Sequence, residues 1–455
     1  MTNTHLIKPV LSDDYPVVDY GKGVYLYDTT GKRYLDGSSG AVTASIGHAV
    51  PEIVHVMKTQ AEKVSFVFRS QFTNEPAERL AEQLSNLAPG HLNWAFFVNS
   101  GSEATETAMK IAIQYWQERG MPQKNKVLSR WMSYHGMTLG ALSMSGYVAR
   151  RERFLPLLHD LPSLSAPYCY RCPFRQTYPG CRLLCAKELE LAIKRLGPDH
   201  VAAFIAEPII GAAGGAIVPP PEYYQHIKAI CDKYDILFIA DEVMTGIART
   251  GKMFAIDHWG VVPDMMALGK GMSGGYTPIA ATLVSDRVME TILAGSKSIM
   301  GGHTYSANPL STAVSLAVLQ YVQKHQLAQK AEESGQYVME KLQVLRRKYD
   351  MVGDIRGKGL LIGIEFVADR ERKQPFPRSE TTLTDRVVKQ AAQNGLLLYP
   401  AAAGLTGTEG DAILVAPPLT IEKDEIDELI ALLDQTLADV ESWVNRYNVS
   451  DQRRA

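Results

Sequence analysis

Lys270 ends an apolar run, Met265 to Leu268, with glycine on each side and Gly274 and Gly275 close behind. A lysine after a strand is ordinarily a solvated loop residue, and glycines there ordinarily make a turn. Held in a tight, dry pocket, the same lysine would lose its proton readily and act as a nucleophile. Carboxylates stand in the same place after two other apolar runs: Glu207 follows "AAFIA", and Asp241-Glu242 follow "ILFIA". They read either as solvated strand ends and helix caps or as groups of a site. Ser100-Gly101-Ser102 follows "WAFFVN" and opens a helical pattern with Glu103 in its first turn. Small residues there either cap the helix or leave its N–H groups free for an anion such as phosphate. "SYHG" adds an aromatic ring at Tyr134 and an imidazole at His135, which alone could be ordinary core or surface. One chemistry asks for all of these together. Pyridoxal 5′-phosphate needs an amine for a Schiff base, a phosphate seat, groups against its ring faces and an acid for its pyridine nitrogen.

The elements that would position these residues are legible as patterns. From about residue 75, helical stretches alternate with short apolar runs such as "WAFFV", "AAFIA", "ILFIA" and "MMAL". Non-alternating apolar strands between helices predict an α/β fold, with a mostly parallel sheet covered on both faces. Ligands of such sheets bind beyond the carboxyl ends of the strands, where each candidate falls. "VYLYDTTGKRYL", Val24 to Leu35, predicts a hairpin around Thr29-Thr30-Gly31. Beyond Asn308, amphipathic helices to about Asp350, the runs "LLIGIEFV" and "AILVA", and a last striped helix predict a smaller α+β domain. The expected division is 1–60 as a segment joining the small domain, 61–310 as the large domain and 311–455 as the small domain. Residues 445–455 are expected to fray.

The chain has 455 residues, 46% of them hydrophobic and 21% charged, enough for more than one core. Its net charge of −2 offers no basic field for nucleic acid or an anionic membrane. No apolar run reaches the roughly 18 residues of a membrane helix. The N-terminus lacks an apolar signal core, so a cytoplasmic protein is expected. Cys169, Cys172, Cys181 and Cys185 cluster in "CYRCPFRQTYPGCRLLC". That spacing could bind zinc or a similar soft metal, or hold reduced thiols or a disulfide staple in an inserted loop.

"LFIADEVMTGIARTGKMFAIDHWGVVPDMMALGKGMSGG" resembles the signature of the class III aminotransferases of fold type I. "NSGSEATETAMKIA", "SYHGMTLGAL", "FIAEP", "GGHTYSANPL" and "GDIRGKGLLIGIEF" are similar to the family's other blocks. The resemblance runs from about Tyr25 to Ile430. It implies that Lys270 forms the Schiff base and moves the substrate proton, and that Asp241 pairs with the pyridine nitrogen. Val243 would pack on one ring face and Tyr134 on or beside the other. His135 would lie close to the cofactor or order its loop. Ser100, Gly101 and Ser102 would hold the phosphate, and Thr304 would reach it from another subunit. The active sites would then be shared within a homodimer or a dimer of dimers. Glu207 would lie near the ring oxygen or the substrate; Arg356 also belongs to a family block and is read as structural, with a bidentate partner for a carboxylate as the alternative.

The implied reaction is ping-pong transamination from an ω-amine or β/ω-amino acid to a 2-oxo acid such as pyruvate or 2-oxoglutarate. Another reaction on the same scaffold is the alternative: an aminomutase, racemase, decarboxylase or phospho-lyase. A more distant one is a non-catalytic interaction protein using the cysteine loop as a metal module. The chain also departs from the pattern. Many relatives carry a carboxylate-binding arginine shortly before "GD", yet no arginine lies between Leu396 and Pro418, where Glu409 stands. Ala41-Val42 replaces a common tryptophan. Arg69 is a candidate replacement for the arginine, or a solvated surface residue. Such a pocket would suit a longer, cationic or carboxylate-masked amine.

Overall fold

The computed structural model describes residues 5–159, 163–377 and 381–451. Its largest sheet has seven strands, here β1 (Trp94–Val98), β2 (Lys126–Arg130), β3 (Ser163–Leu164), β4 (Val201–Ala206), β5 (Leu237–Asp241), β6 (Met265–Leu268) and β7 (Ala280–Val284), in the order β1-β7-β6-β5-β4-β2-β3. Neighbours from β6 to β3 pair in parallel, while β7 runs against both β1 and β6. Because β7 is antiparallel to both neighbours, β1 points the same way as the parallel strands. The sheet is therefore mostly parallel, as expected.

The apolar runs do not alternate because both of their faces are covered. Ala203, Ile205, Leu237 and Ile239 share one core with Ala108, Ile111, Tyr115 and Trp116 of the helix α1 (Gly101–Glu118). The intervening Phe204, Ala206, Phe238 and Ala240 share another with Leu189, Tyr224 and Ile227. Each face loses its apolar area to water's exclusion, and the register of β4 and β5 follows from that.

Val18–Lys22, Tyr25–Asp28 and Arg33–Asp36 form an antiparallel meander. The expected hairpin is closed by Asp28, whose Oδ1 accepts from the N–H groups of Thr30 at 2.9 Å and Lys32 at 3.0 Å. Leu396–Leu397 extends this sheet in parallel beside Arg33–Asp36. A separate antiparallel sheet joins Val352–Lys358, Leu361–Phe366, Gly410–Val415 and Tyr399–Ala403. The helical stretch after Asn308 is two helices, Pro309–Lys324 and Leu327–Lys348, separated where Gln326 turns left-handed at φ 49°. The last helix is Lys423–Asp451, so it extends into the stretch expected to fray; residues 452–455 lie outside the described ones.

The four clustered cysteines are free and line one small cavity. Among the described residues no three His, Cys, Asp or Glu side chains are placed to hold a metal ion. The segment is tied to the small sheet by buried Glu365. This carboxylate accepts from Arg171 Nε at 2.6 Å, Arg356 Nη1 at 2.8 Å and the Tyr168 hydroxyl. Arg356 also donates to Asp354 and to the Gly214 carbonyl, so its guanidinium is engaged structurally. Among the described residues no helix is long and apolar enough to cross a membrane.

Candidate active site

The carboxyl ends of β1, β2, β4, β5 and β6 meet at one edge of the large sheet. A cavity of about 190 Å³ lies there. Gly101 and Ser102 reach it from the start of α1, Tyr134 and His135 from the loop after β2, Glu207 from β4, Asp241 and Val243 from β5, and Lys270 from β6. Residues separated by up to 169 positions in the chain are brought together by strand order alone, since 270 less 101 is 169.

Lys270 is half-buried and opens a short helical turn, Lys270–Ser273. Burial pushes its amine below the ordinary lysine range, and the charges of Asp241 and then Glu207 oppose that shift. The flanking glycines have steric causes. A Cβ on Gly269 would meet Val243 Cγ1 at 3.2 Å, and Gly274 ends the turn at φ +58°. Lys270 itself sits at φ 42°, a left-handed conformation that costs a non-glycine residue about 1 kcal/mol or more.

Asp241 is buried and fixed from two directions. Its Oδ1 accepts from the Val243 N–H at 3.0 Å, and its Oδ2 meets His135 Nδ1 at 2.7 Å. His135 is held in turn: its N–H donates to Ser145 Oγ at 2.8 Å and its carbonyl accepts from Thr105 Oγ1 at 2.6 Å. Among the described residues its buried Nε2 has no partner. Glu207 uses both oxygens on backbone, accepting from the Tyr134 N–H and the Gly211 N–H, each at 2.9 Å. Burial raises its carboxyl, with the His135 contribution opposing and Asp241 adding to the rise. It therefore ties the loop after β2 to the loop after β4.

At the start of α1, Ser100 Oγ accepts from the Glu103 N–H at 3.2 Å. Ser100 is thus the helix cap and lies outside the cavity lining, apart from its two neighbours. Among the described residues the N–H groups of Gly101 and Ser102 have no partner, as the first turn of a helix requires. They could hold an anion, with the dipole of α1 behind them. Gly101 is also sterically required: a Cβ there would meet Val243 Cγ1 at 2.7 Å. Thr304 is exposed on the surface and does not line the cavity of its own chain.

The structure separates Asp241 from Glu242, which the sequence places side by side. Glu242 points away, accepting from the Ile256 N–H at 2.7 Å and from the Thr245 hydroxyl. Burial pushes its carboxyl up to about 7. Arg69 donates to the Gly301 carbonyl and stacks 4.9 Å from the Phe96 ring centre, so it too is turned from the cavity. Glu409 is exposed. Three lining residues escaped the sequence reading: Gly136, Ala212 and Met244. Gly136 adjoins Tyr134-His135 and has φ +135°; Ala212 lies in the small-residue run "GAAGGA", which was the available signal.

The aminotransferase class-III family model matches residues 11–437. An uncharacterised aminotransferase of Bacillus subtilis (strain 168), YodT, is 54% identical over 439 residues, covering 96% of this chain and 98% of its own length. An (S)-enantioselective omega-transaminase from Thermomicrobium roseum superposes with a TM-score of 0.90 at 37% identity, over 96% of each chain. An amine transaminase from an uncultivated Pseudomonas species, solved in its PLP-bound form, gives 0.89 at 33%, over 96% of this chain and 98% of that one. With matches along nearly its whole length, the chain belongs to the class III aminotransferases, fold type I enzymes that transfer amino groups with pyridoxal 5′-phosphate as their cofactor.

Proposed function

We propose that this enzyme moves an amino group from an ω-amine or a β/ω-amino acid to a 2-oxo acid, pyruvate or 2-oxoglutarate, in a ping-pong cycle. The observation that carries this reading is the lining of the Lys270 cavity. Among the described residues Lys270 is its only Lys or Arg, so the cavity itself holds no guanidinium that would require a carboxylate of every donor. The omega-transaminase from Thermomicrobium roseum supports the same reading.

The residues present fit the cofactor. Unpartnered N–H groups at Gly101 and Ser102 suit its phosphate, and the Ser102 hydroxyl, which accepts from the Met137 N–H at 3.0 Å, keeps its proton to donate. Gly101 leaves the room that Val243 needs, and Val243 and Tyr134 would flank the ring. Pyridoxal phosphate, when bound, supplies an aldehyde for amines and an electron sink for the pair released at the substrate carbon. Lys270 Nζ would hold it and would serve as the base that moves the substrate proton. Burial lowers the amine below the ordinary lysine range, which suits it to accept and return one proton. Asp241, oriented by His135 and the Val243 N–H, would hold the ring nitrogen protonated. Glu207, held by the Tyr134 and Gly211 N–H groups, would lie near the ring oxygen or the substrate.

Thr304 completes the phosphate seat of a neighbouring subunit in a homodimer or dimer of dimers. Tyr305, next to Thr304, is exposed and meets the exposed Phe66 edge to face at 5.8 Å, and exposed Phe68, Phe72 and Met300 lie close to them in the chain, which supports a surface made for a second copy. Residues 1–60, 61–310 and 311–455 are the working units, a division supported by the pairing of Leu396–Leu397 with Arg33–Asp36. The enzyme works in the cytoplasm.

A panel of mono-, di- and amino-acid donors run against pyruvate and 2-oxoglutarate tests the proposal. Alanine or glutamate should accumulate with ω-amine donors. Turnover of α-amino acids alone, or product without consumption of the keto acid, would refute it.

A further inference from the structure

A second cavity of about 470 Å³ adjoins the Lys270 cavity and shares Ala212 with it. Tyr134 on the inner side meets Tyr147 on the outer side edge to face, ring centres 6.4 Å apart. The far wall is the strand Tyr399–Ala403, pinned to the site by the Ala402 N–H, which donates to the Ala212 carbonyl at 2.8 Å. Small side chains, Ala401, Ala402 and Gly407, leave that wall open.

Arg150 lines this outer cavity with its guanidinium 5.9 Å from the Tyr147 ring centre. Its side chain has no hydrogen bond or ion pair among the described residues, in contrast with Arg151, which donates to the carbonyls of Ser143 and Ser145. Asp385 shares the cavity, but its carboxylate accepts from Thr382 Oγ1 at 2.7 Å in the capping box of the helix Leu383–Asn394. Across both cavities Lys270 and Arg150 are the only Lys or Arg residues among the described ones. Burial raises the hydroxyls of Tyr134 and Tyr147, and the Arg150 charge is the foremost opposing influence on each.

A free guanidinium at the mouth of a reactive cavity, walled by phenols, is a bidentate seat for a carboxylate. We propose that Arg150 is the carboxylate-docking residue of this active site, serving the 2-oxo acid acceptor and any donor that carries a carboxylate. This rests on the reading of the reaction given above. The long apolar stem lets the exposed head follow a short acceptor inward or a distal carboxylate outward.

The test uses the holoenzyme in separate half-reactions, followed by the visible absorbance of the bound cofactor. Donors are 5-aminopentanoate and pentylamine, with no keto acid present; pyruvate is then tested on the aminated enzyme. Arg150→Ala should raise the half-saturating concentration about tenfold or more for 5-aminopentanoate and pyruvate, and less than about twofold for pentylamine. Arg150→Lys should recover part of the loss. An equal rise for pentylamine, or none for the two carboxylates, overturns the proposal. If the wild-type enzyme converts neither donor, the ω-amine reading fails instead. The docking role is then judged by calorimetric titration of pentanoate, which Arg150→Ala should bind about tenfold more weakly. Equal binding, or none to either protein, overturns it.

Discussion

At Lys270 burial favours the neutral amine, and the Asp241 and Glu207 carboxylates pull the other way. The rate at which apoenzyme captures pyridoxal phosphate should therefore level off below about pH 10.4, the ordinary lysine value. Asp241→Asn removes the larger opposing charge and should move the midpoint lower still. A profile still climbing at pH 10 in the wild type would contradict the buried amine. Glu242 makes the complementary case. Its carboxyl is raised to about 7 in the fold, so the folded chain holds a proton that the unfolded chain releases at about pH 4.3. Stability from this group is then lost as pH rises from about 4.3 through 7, by about 3 kcal/mol. Glu242→Gln keeps an acceptor for the Ile256 N–H without the charge. Relative to wild type it should gain stability by about that amount between pH 5 and pH 8 in urea melts. A flat difference would mean that the carboxylate is ionised in place. Neither effect is legible from residue type. Asp241 and Glu242 are chemically alike and adjacent, and the alternating direction of side chains at the end of β5 sends one to the site and the other into the protein.

At the scale of elements, the start of α1 combines a cap and an anion seat in three residues. Ser100 takes one N–H for stability and leaves those of Gly101 and Ser102. The triplet "SGS" announced both roles, yet which serine did which depended on the φ and ψ of the cap. Gly101→Ala tests the steric half. The new methyl would stand 2.7 Å from Val243 Cγ1 and push that side chain into the cavity. Helix stability should change little, while cofactor affinity falls about tenfold, the cost of a modest overpacking clash. Adding Val243→Ala should restore part of it by equilibrium dialysis. No loss with Gly101→Ala alone would show that Val243 is free to move. The strands were legible for a different reason. β4, β5 and β6 are buried at every residue, and a two-face burial leaves an unbroken apolar run in the sequence.

At the scale of the whole molecule, Thr304 is exposed on its own chain, and its proposed work lies in a neighbouring site. Mixed dimers test this. Subunits carrying Lys270→Ala are combined with subunits carrying Thr304→Ala. If Thr304 acts across the interface, each mixed dimer has one wholly intact site, with unimpaired cofactor retention there. If it acts within its own chain, no site in the mixture is intact. Thr304→Ala alone should weaken retention about tenfold, the worth of one charged hydrogen bond.

What the sequence determined by itself were local matters: the runs that become strands, the caps and turns that end them, and the residue types waiting after each run. These depend on side-chain period and backbone sterics over a few positions. The sheet order, the docking of His135 on Asp241, the turning away of Glu242 and Arg69, and the opposition of Arg150 to the small-residue wall were decided only by tertiary structure. Each joins groups far apart in the chain. Their distance is set by which apolar faces exclude water together, and no short window of sequence contains that information.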